Sequence, residues 1–180
     1  GIVISSNINK YRELKLRLLN GTHTFSCGLA YLAGFDTVKD AMSNKIFNDF
    51  LFTLMIEEIV PSIVSEEISK EQAYSFANNV IDRFRNPDID HRWLSIALNY
   101  TGKMKMRNVP LLLQYYHHNK YVPKYMAMGF AAYILFMKVY KEENGKYYGN
   151  RNTIDYLIQD EFANYYFKLW QQENIDILVN

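Results

Sequence analysis

The 180 residues carry 20 Lys and Arg against 19 Asp and Glu, a formal net charge of +1. No global field therefore draws the chain to nucleic acid or to a membrane surface. Hydrophobic residues at 49% and charged residues at 22% exclude a disordered chain and fit one folded domain with a substantial core. The single cysteine, Cys27, excludes an intrachain disulfide and a thiolate zinc site. Set among Phe25, Leu29 and Tyr31, it reads as a buried, inert thiol. The lone cysteine and the lack of a charged-then-apolar leader fit a cytoplasmic protein.

Residues 1–9 read as a connector from a preceding part of a longer protein. From Tyr11 the spacing of Tyr11, Leu14 and Leu18 predicts a helix, punctuated on the way to Ala33 by Gly21 and Gly28 and closed at Gly34. Asp36 is the expected N-cap of a short helix through Met42. A longer helix is expected over residues 44–60, with Pro61 stopping it. Ser69 and Gln72 form a capping box that opens a helix to Phe84. Asn86-Pro87-Asp88 is a turn, and a helix over residues 91–100 is interrupted by Gly102. Pro110 sits early in a helix carrying Leu111, Leu112, Tyr115 and Tyr116, and Pro123 begins an apolar helix to Tyr140. Its core, residues 126–137, falls short of the ~20 residues of a membrane span. Residues 142–152 read as a polar surface loop, and residues 153–171 as a final helix. No stretch alternates with period two for long enough to claim a strand, so the expected fold is all-α.

No Gly-rich dinucleotide fingerprint, P-loop, H-E-x-x-H or G-x-S-x-G occurs. Any redox cofactor must therefore bind elsewhere. Of the remaining histidines, the adjacent His117 and His118 point about 100° apart on a helix and make a poor chelate, so no protein metal site is expected. The informative segment is Lys15 to His23. At about 100° per residue, Lys15, Asn20 and His23 share an arc of roughly 140° on a helix. A desolvated lysine can give a proton to a carbonyl oxygen as hydride reaches the carbon. An asparagine amide can donate to the same oxygen as charge develops, and an imidazole can orient a neighbouring hydroxyl. Gly21 lets a group approach the backbone closely. The residues read equally well as an amphipathic helix with a snorkelling lysine, a capping asparagine and a satisfied histidine.

The string Tyr11-Arg-Glu-Leu-Lys-Leu-Arg-Leu-Leu-Asn-Gly-Thr-His23 resembles the signature helix K-x-x-x-x-N-x-x-H of the mannitol dehydrogenase family, the polyol-specific long-chain dehydrogenases. Arg83-Phe-Arg-Asn-Pro-Asp-Ile-Asp90 resembles that family's R-F-x-N-P-x-I-x-D, and Lys103 and Pro110 fall where the family carries a lysine and a proline. The resemblance spans about the first 110 residues. It implies an all-α C-terminal domain that faces a Rossmann domain in the N-terminal half of the same protein, where NAD is held. Carried over, Lys15 is the general acid/base, Asn20 the oxyanion donor, His23 a substrate contact and Lys103 a second lysine of the substrate site. No cofactor-binding residue falls in this segment.

Ser95 departs from the family pattern, standing where polyol members carry an arginine, while Arg92 lies one turn earlier. That change, and a string that ends at His91, look more like the hexuronate branch, the tagaturonate reductases (altronate oxidoreductases). The resemblance thus implies interconversion of D-tagaturonate and D-altronate, with Arg92 and Lys103 as candidates to meet the carboxylate of a small sugar acid. Fructuronate (mannonate) oxidoreductases and mannitol-type polyol dehydrogenases are the neighbouring alternatives. A non-catalytic helical interaction module is the alternative of another class. The fragment is expected to be inactive without its Rossmann partner. Arg83, Asn86 and Pro87 read as the parts of a helix end and turn.

Overall fold

The computed structural model describes residues 8–171. Of the expected connector, residues 1–7 lie outside this range, while Ile8 and Asn9 already belong to the first helix. Helix α1 (Ile8–Leu14), a π-helical segment π1 (Lys15–Gly21) and α2 (Thr22–Leu32) follow without a break, since the junction residues keep right-handed helical dihedrals. Every residue from Thr22 to Gly28 is buried, which makes α2 the central element. Around it lie α3 (Val38–Ser43), α4 (Lys45–Thr53), π2 (Leu54–Ile59), α5 (Val60–Ile63), α6 (Lys70–Phe84), α7 (Trp93–Ile96), α8 (Tyr100–Lys103), π3 (Met104–Asn108), α9 (Val109–Asn119), α10 (Lys124–Phe136) and α11 (Ala163–Gln171).

The capping box at Ser69 and Gln72 is formed as expected, and Asn86 closes the following turn by accepting the Asp88 N–H at 2.9 Å. Other boundaries differ, each for a local reason. Thr37, not Asp36, caps α3, because its backbone is extended and its hydroxyl accepts from the Asp40 N–H. Asp36 instead gives its carbonyl to the Trp93 N–H. The helix expected over residues 91–100 shrinks to the single turn α7, because Asn99 takes a left-handed conformation (φ 49°). Gly102 then lies inside α8, and the break falls at Asn99. Helix α10 stops at Phe136 rather than reaching Tyr140.

Pro61 does not stop its helix. A proline has no N–H and crowds the carbonyl four residues back. Just before Pro61 the ladder slips by one residue, with the Val60 N–H reaching the Met55 carbonyl, and the helix runs on to Ile63. The same slip precedes Pro110, where the Val109 N–H reaches the Met104 carbonyl. Both prolines are thus absorbed by a widened turn. In π2, Glu58 is 5% exposed, and its carboxylate accepts the Tyr125 and Met126 N–H groups at 2.9 and 2.7 Å. It caps α10, which has no side-chain cap of its own.

The chain is not wholly helical. β1 (Lys141–Glu143), β2 (Lys146–Arg151) and β3 (Ile154–Leu157) form an antiparallel meander over the expected loop and the start of the expected last helix, which begins only at Ala163. The register pairs Glu142 with Tyr147 and Gly149 with Tyr156. Both connections are two-residue turns with positive φ at each position, Asn144-Gly145 and Asn152-Thr153, the geometry that matches strand twist. Arg151 fastens this sheet to the end of α2, its guanidinium 4.0 Å from the Tyr31 ring centroid and 2.9 Å from Asp36 Oδ1.

Helices α2 and α10 touch backbone to backbone through Gly28 and Gly129. A Cβ on Gly129 would stand 2.6 Å from the Phe25 carbonyl oxygen, and one on Gly28 would stand 3.0 Å from that of Ala132. Gly129→Ala is therefore expected to cost about 1–3 kcal/mol by prising the two helices apart. An unchanged urea midpoint would contradict this contact.

Candidate active site

In a straight α-helix Lys15 and Asn20 would stand about 140° apart. Segment π1 changes that, because its hydrogen bonds run from i to i+5 and residues five apart lie one turn apart. Lys15 and Asn20 thus share a face more closely than the sequence spacing predicts, with His23 following at the start of α2.

These three side chains form a gradient of burial. Lys15 is exposed and has no hydrogen-bond or ion-pair partner among the described residues. The desolvation expected for it is therefore absent from the chain itself. Asn20 is half-buried, and its carboxamide is likewise unpartnered. His23 is 7% exposed and stacks on Phe84 with ring centroids 4.2 Å apart, edge-on to His91 at 5.4 Å and to Trp93 at 6.0 Å. Its Nε2 is buried without a partner, so it is not the satisfied histidine of the structural reading. Burial pushes the imidazole down to about 3, helped by the positive charges of His91, Arg83 and Arg107.

Segment π1 is held in register from π3. Pro110 has no N–H for the Met106 carbonyl; the Arg17 guanidinium, braced by Glu13 at 2.6 Å, donates instead to the carbonyls of Met106 and Arg107 at 3.3 and 2.6 Å. The wholly buried Asn108 donates to the Gly21 carbonyl at 3.0 Å, so the group that approaches Gly21 is a side chain of the same domain. Arg107 reaches Thr24 at 3.3 Å. The pattern Lys-x-x-x-x-Asn occurs again here, as Lys103 to Asn108 over π3.

Of the two expected lysines, the partly desolvated one is Lys103. Its ammonium donates to the Ile96 carbonyl at 2.8 Å, and burial, reinforced by Arg107, lowers it from the ordinary lysine range. Arg92 is exposed; its backbone bridges Thr37 and its guanidinium is unpartnered among the described residues. The Cys27 thiol is fully buried and pushed up to about 12 by that burial, in keeping with an inert role.

A groove of about 640 Å³ opens between α1, π1 and α6, lined among others by Tyr11, Leu14, Leu19, Phe76, Asn79 and Arg83. Leu19, four residues from both Lys15 and His23, lines this groove, while Lys15, Asn20 and His23 do not. At Arg83 the groove meets a narrow cleft walled by His23, Val38, Arg83, Phe84, Ile89 and His91. The sequence reading assigned Arg83 to a helix end and gave His91 no role. The signal available was their spacing across the Asn86-Pro87 turn, which returns His91 to the last turn of α6.

Among the described residues no helix is long and apolar enough to cross a membrane, and no group of three or more His, Cys, Asp or Glu could hold a metal ion. The pattern of the mannitol dehydrogenase C-terminal domain matches residues 7–179. The chain belongs to that family. Among curated relatives, an altronate oxidoreductase of Halalkalibacterium halodurans is 35% identical over 94% of this chain. One of Escherichia coli is 36% identical over 95% of this chain. The chain spans only 33% of the length of either relative. The fold is shared with Pseudomonas fluorescens mannitol 2-dehydrogenase, solved with NAD and D-mannitol, at a TM-score of 0.77 and 22% identity over 96% of this chain and 32% of that one. It is shared also with a substrate-free D-sorbitol dehydrogenase, at a TM-score of 0.64 and 21% identity over 83% of this chain and 30% of that one.

The state of His23 can be tested directly. Its ring resonances should remain those of a neutral imidazole from about pH 8 to about pH 5. The folded value, about 3, lies below the ordinary 6.5, so on acidification the unfolded chain takes up the proton first. Stability is therefore lost as pH falls from 6.5 toward 3, and His23→Asn should show a shallower loss across that window. A His23 titration midpoint near 6.5 would refute the burial argument.

Proposed function

We propose that this chain is the substrate-side domain of an NAD-dependent oxidoreductase that interconverts D-tagaturonate and D-altronate. The observation that carries the proposal is the stripe of Lys15, Asn20 and His23, which resembles the family's K-x-x-x-x-N-x-x-H pattern, with Lys15 and Asn20 on a widened helical turn and His23 just beyond it. The names of the curated relatives, altronate oxidoreductases, support the sugar-acid substrate. NAD, bound in an N-terminal Rossmann domain of the same protein, would supply or accept the hydride; no residue of this chain is assigned to hold it.

The donor set suits a carbonyl substrate. Lys15 holds the proton that passes to the carbonyl oxygen in reduction and takes it back in oxidation. The Asn20 carboxamide, unpartnered within the chain, donates to that oxygen as negative charge develops. His23 is neutral, so one ring nitrogen can accept from a substrate hydroxyl while the other donates. Lys103 is assigned to the substrate's polar groups on the family pattern, and Arg92, one turn before the position of the family's arginine, to the outer rim. Lys15 is exposed in this chain, and a domain laid over it would take it out of water. The isolated chain is for the same reason inactive.

In the full-length protein, Lys15→Ala should lower kcat for tagaturonate reduction about a hundredfold or more. Asn20→Ala should cost a comparable factor with a smaller change in KM. Near-normal turnover in Lys15→Ala, with the variant folded, would leave the helical interaction module as the better reading. Faster turnover of fructuronate or fructose than of tagaturonate in the unmodified enzyme would move the substrate to a neighbouring branch.

A further inference from the structure

The cleft beside His23 is built entirely of apolar and basic groups. Arg83 enters it from the last turn of α6, and His91 from the segment before α7. Val38, Phe84 and Ile89 supply the remaining walls, and no carboxylate lines it. Asp90, next in sequence to His91, is engaged by Lys39 at 3.5 Å. Asp88 does not line the cleft either. The Arg83 guanidinium has no ion-pair or hydrogen-bond partner among the described residues. The floor is His23, more than nine-tenths buried, with an Nε2 that no protein atom satisfies.

Exposed basic side chains with no carboxylate beside them, next to an orphaned buried nitrogen, form a place where an anion is met favourably. The cleft holds about 10 Å³, room for a single water-sized group, so a carboxylate is met at its mouth, where Arg83 and His91 are exposed. His23, the last residue of the Lys15–Asn20–His23 stripe, is one of its walls. Lys103, by contrast, already spends a proton on the Ile96 carbonyl, and Arg92 lies outside the cleft.

Resting on the proposed sugar-acid chemistry, we infer that Arg83 and His91 form the subsite that grips the substrate's carboxylate and so select a hexuronate over an uncharged ketose. The Arg83 fork supplies the charge-assisted hydrogen bonds, and His91 closes the opposite side with a ring N–H.

The test uses full-length enzyme and a matched pair of substrates, D-tagaturonate and D-tagatose, which differ in a carboxylate against a hydroxymethyl group. The readout is the ratio of their kcat/KM values. Arg83→Gln and His91→Asn should each lower that ratio about tenfold or more, chiefly through a higher KM for tagaturonate. Arg83→Lys, which keeps the charge without the fork, should recover part of the loss. Both residues are exposed, so a circular dichroism melt serves to confirm that the variants fold. A ratio within threefold of the unmodified enzyme in both variants overturns the assignment. So does a weakened NADH affinity, read by fluorescence titration, with the ratio intact, because the cleft would then serve the cofactor's pyrophosphate. An unmodified enzyme that turns over no hexuronate at all sinks the proposed function itself, a result distinct from either.

Discussion

The donation from Arg17 to the carbonyls of Met106 and Arg107 is the contact on which the site's geometry depends. Proline at position 110 removes one N–H from its helix and leaves the Met106 carbonyl without its ladder partner. Met106 is exposed, so water could meet that carbonyl, but the chain supplies a donor of its own. That donor is Arg17, and in donating it pins the middle of π1 to the middle of π3. Asn108, from the same segment, secures the far end of π1 at the Gly21 carbonyl. The widened turn that aligns Lys15 with Asn20 is thus fixed by a neighbour that carries a widened turn of its own. A π segment in isolation is poorly stable; two that satisfy each other's backbone groups are mutually supporting.

Electrostatics around α2 follow from the same arrangement. Arg107, held between Thr24 and the π3 backbone, joins Arg83 and His91 in disfavouring a proton on His23. Burial acts in the same direction and is the largest cause. The result is an imidazole kept neutral under a rim of positive charge. No acid of the chain lines the cleft, so no carboxylate of the protein's own draws a proton onto His23 there.

Much of this was legible in the residues. The capping box, the Asn86 turn, the helical period through α1 and α2 and the buried thiol all have local causes, and local causes leave marks at fixed spacing. The Lys15–Asn20–His23 stripe was found by the same logic, and the resemblance gave it chemical roles. Three things escaped. The π segments have no composition of their own: the slips before Pro61 and Pro110 are set by what lies across the interface, so proline was read as a stop. The small sheet was missed although Asn144-Gly145 marks a hairpin turn, because its strands are too short and polar to show alternation. Arg83 was taken for a helix end because the Asn86-Pro87 turn was read only as a helix stop, not as the fold-back that brings His91 beside it.

The exposure of Lys15 sets the sharpest constraint on how such a domain can work. A lysine in water keeps its proton, and burial in this chain falls on Lys103 and His23 instead. If Lys15 were desolvated by its own domain, the cost of an unpaired buried ammonium would fall on folding, at every moment, with or without substrate. Leaving it at the rim moves that cost to the closed complex, where binding energy from the rest of the substrate can offset it. The groove beside Leu19 and the narrow cleft share the Arg83 wall, so on the proposed reading a substrate end held at Arg83 would restrict how its carbonyl meets Lys15 and Asn20. On the proposed reading such a domain positions and protonates, and a second body laid over Lys15 would exclude water.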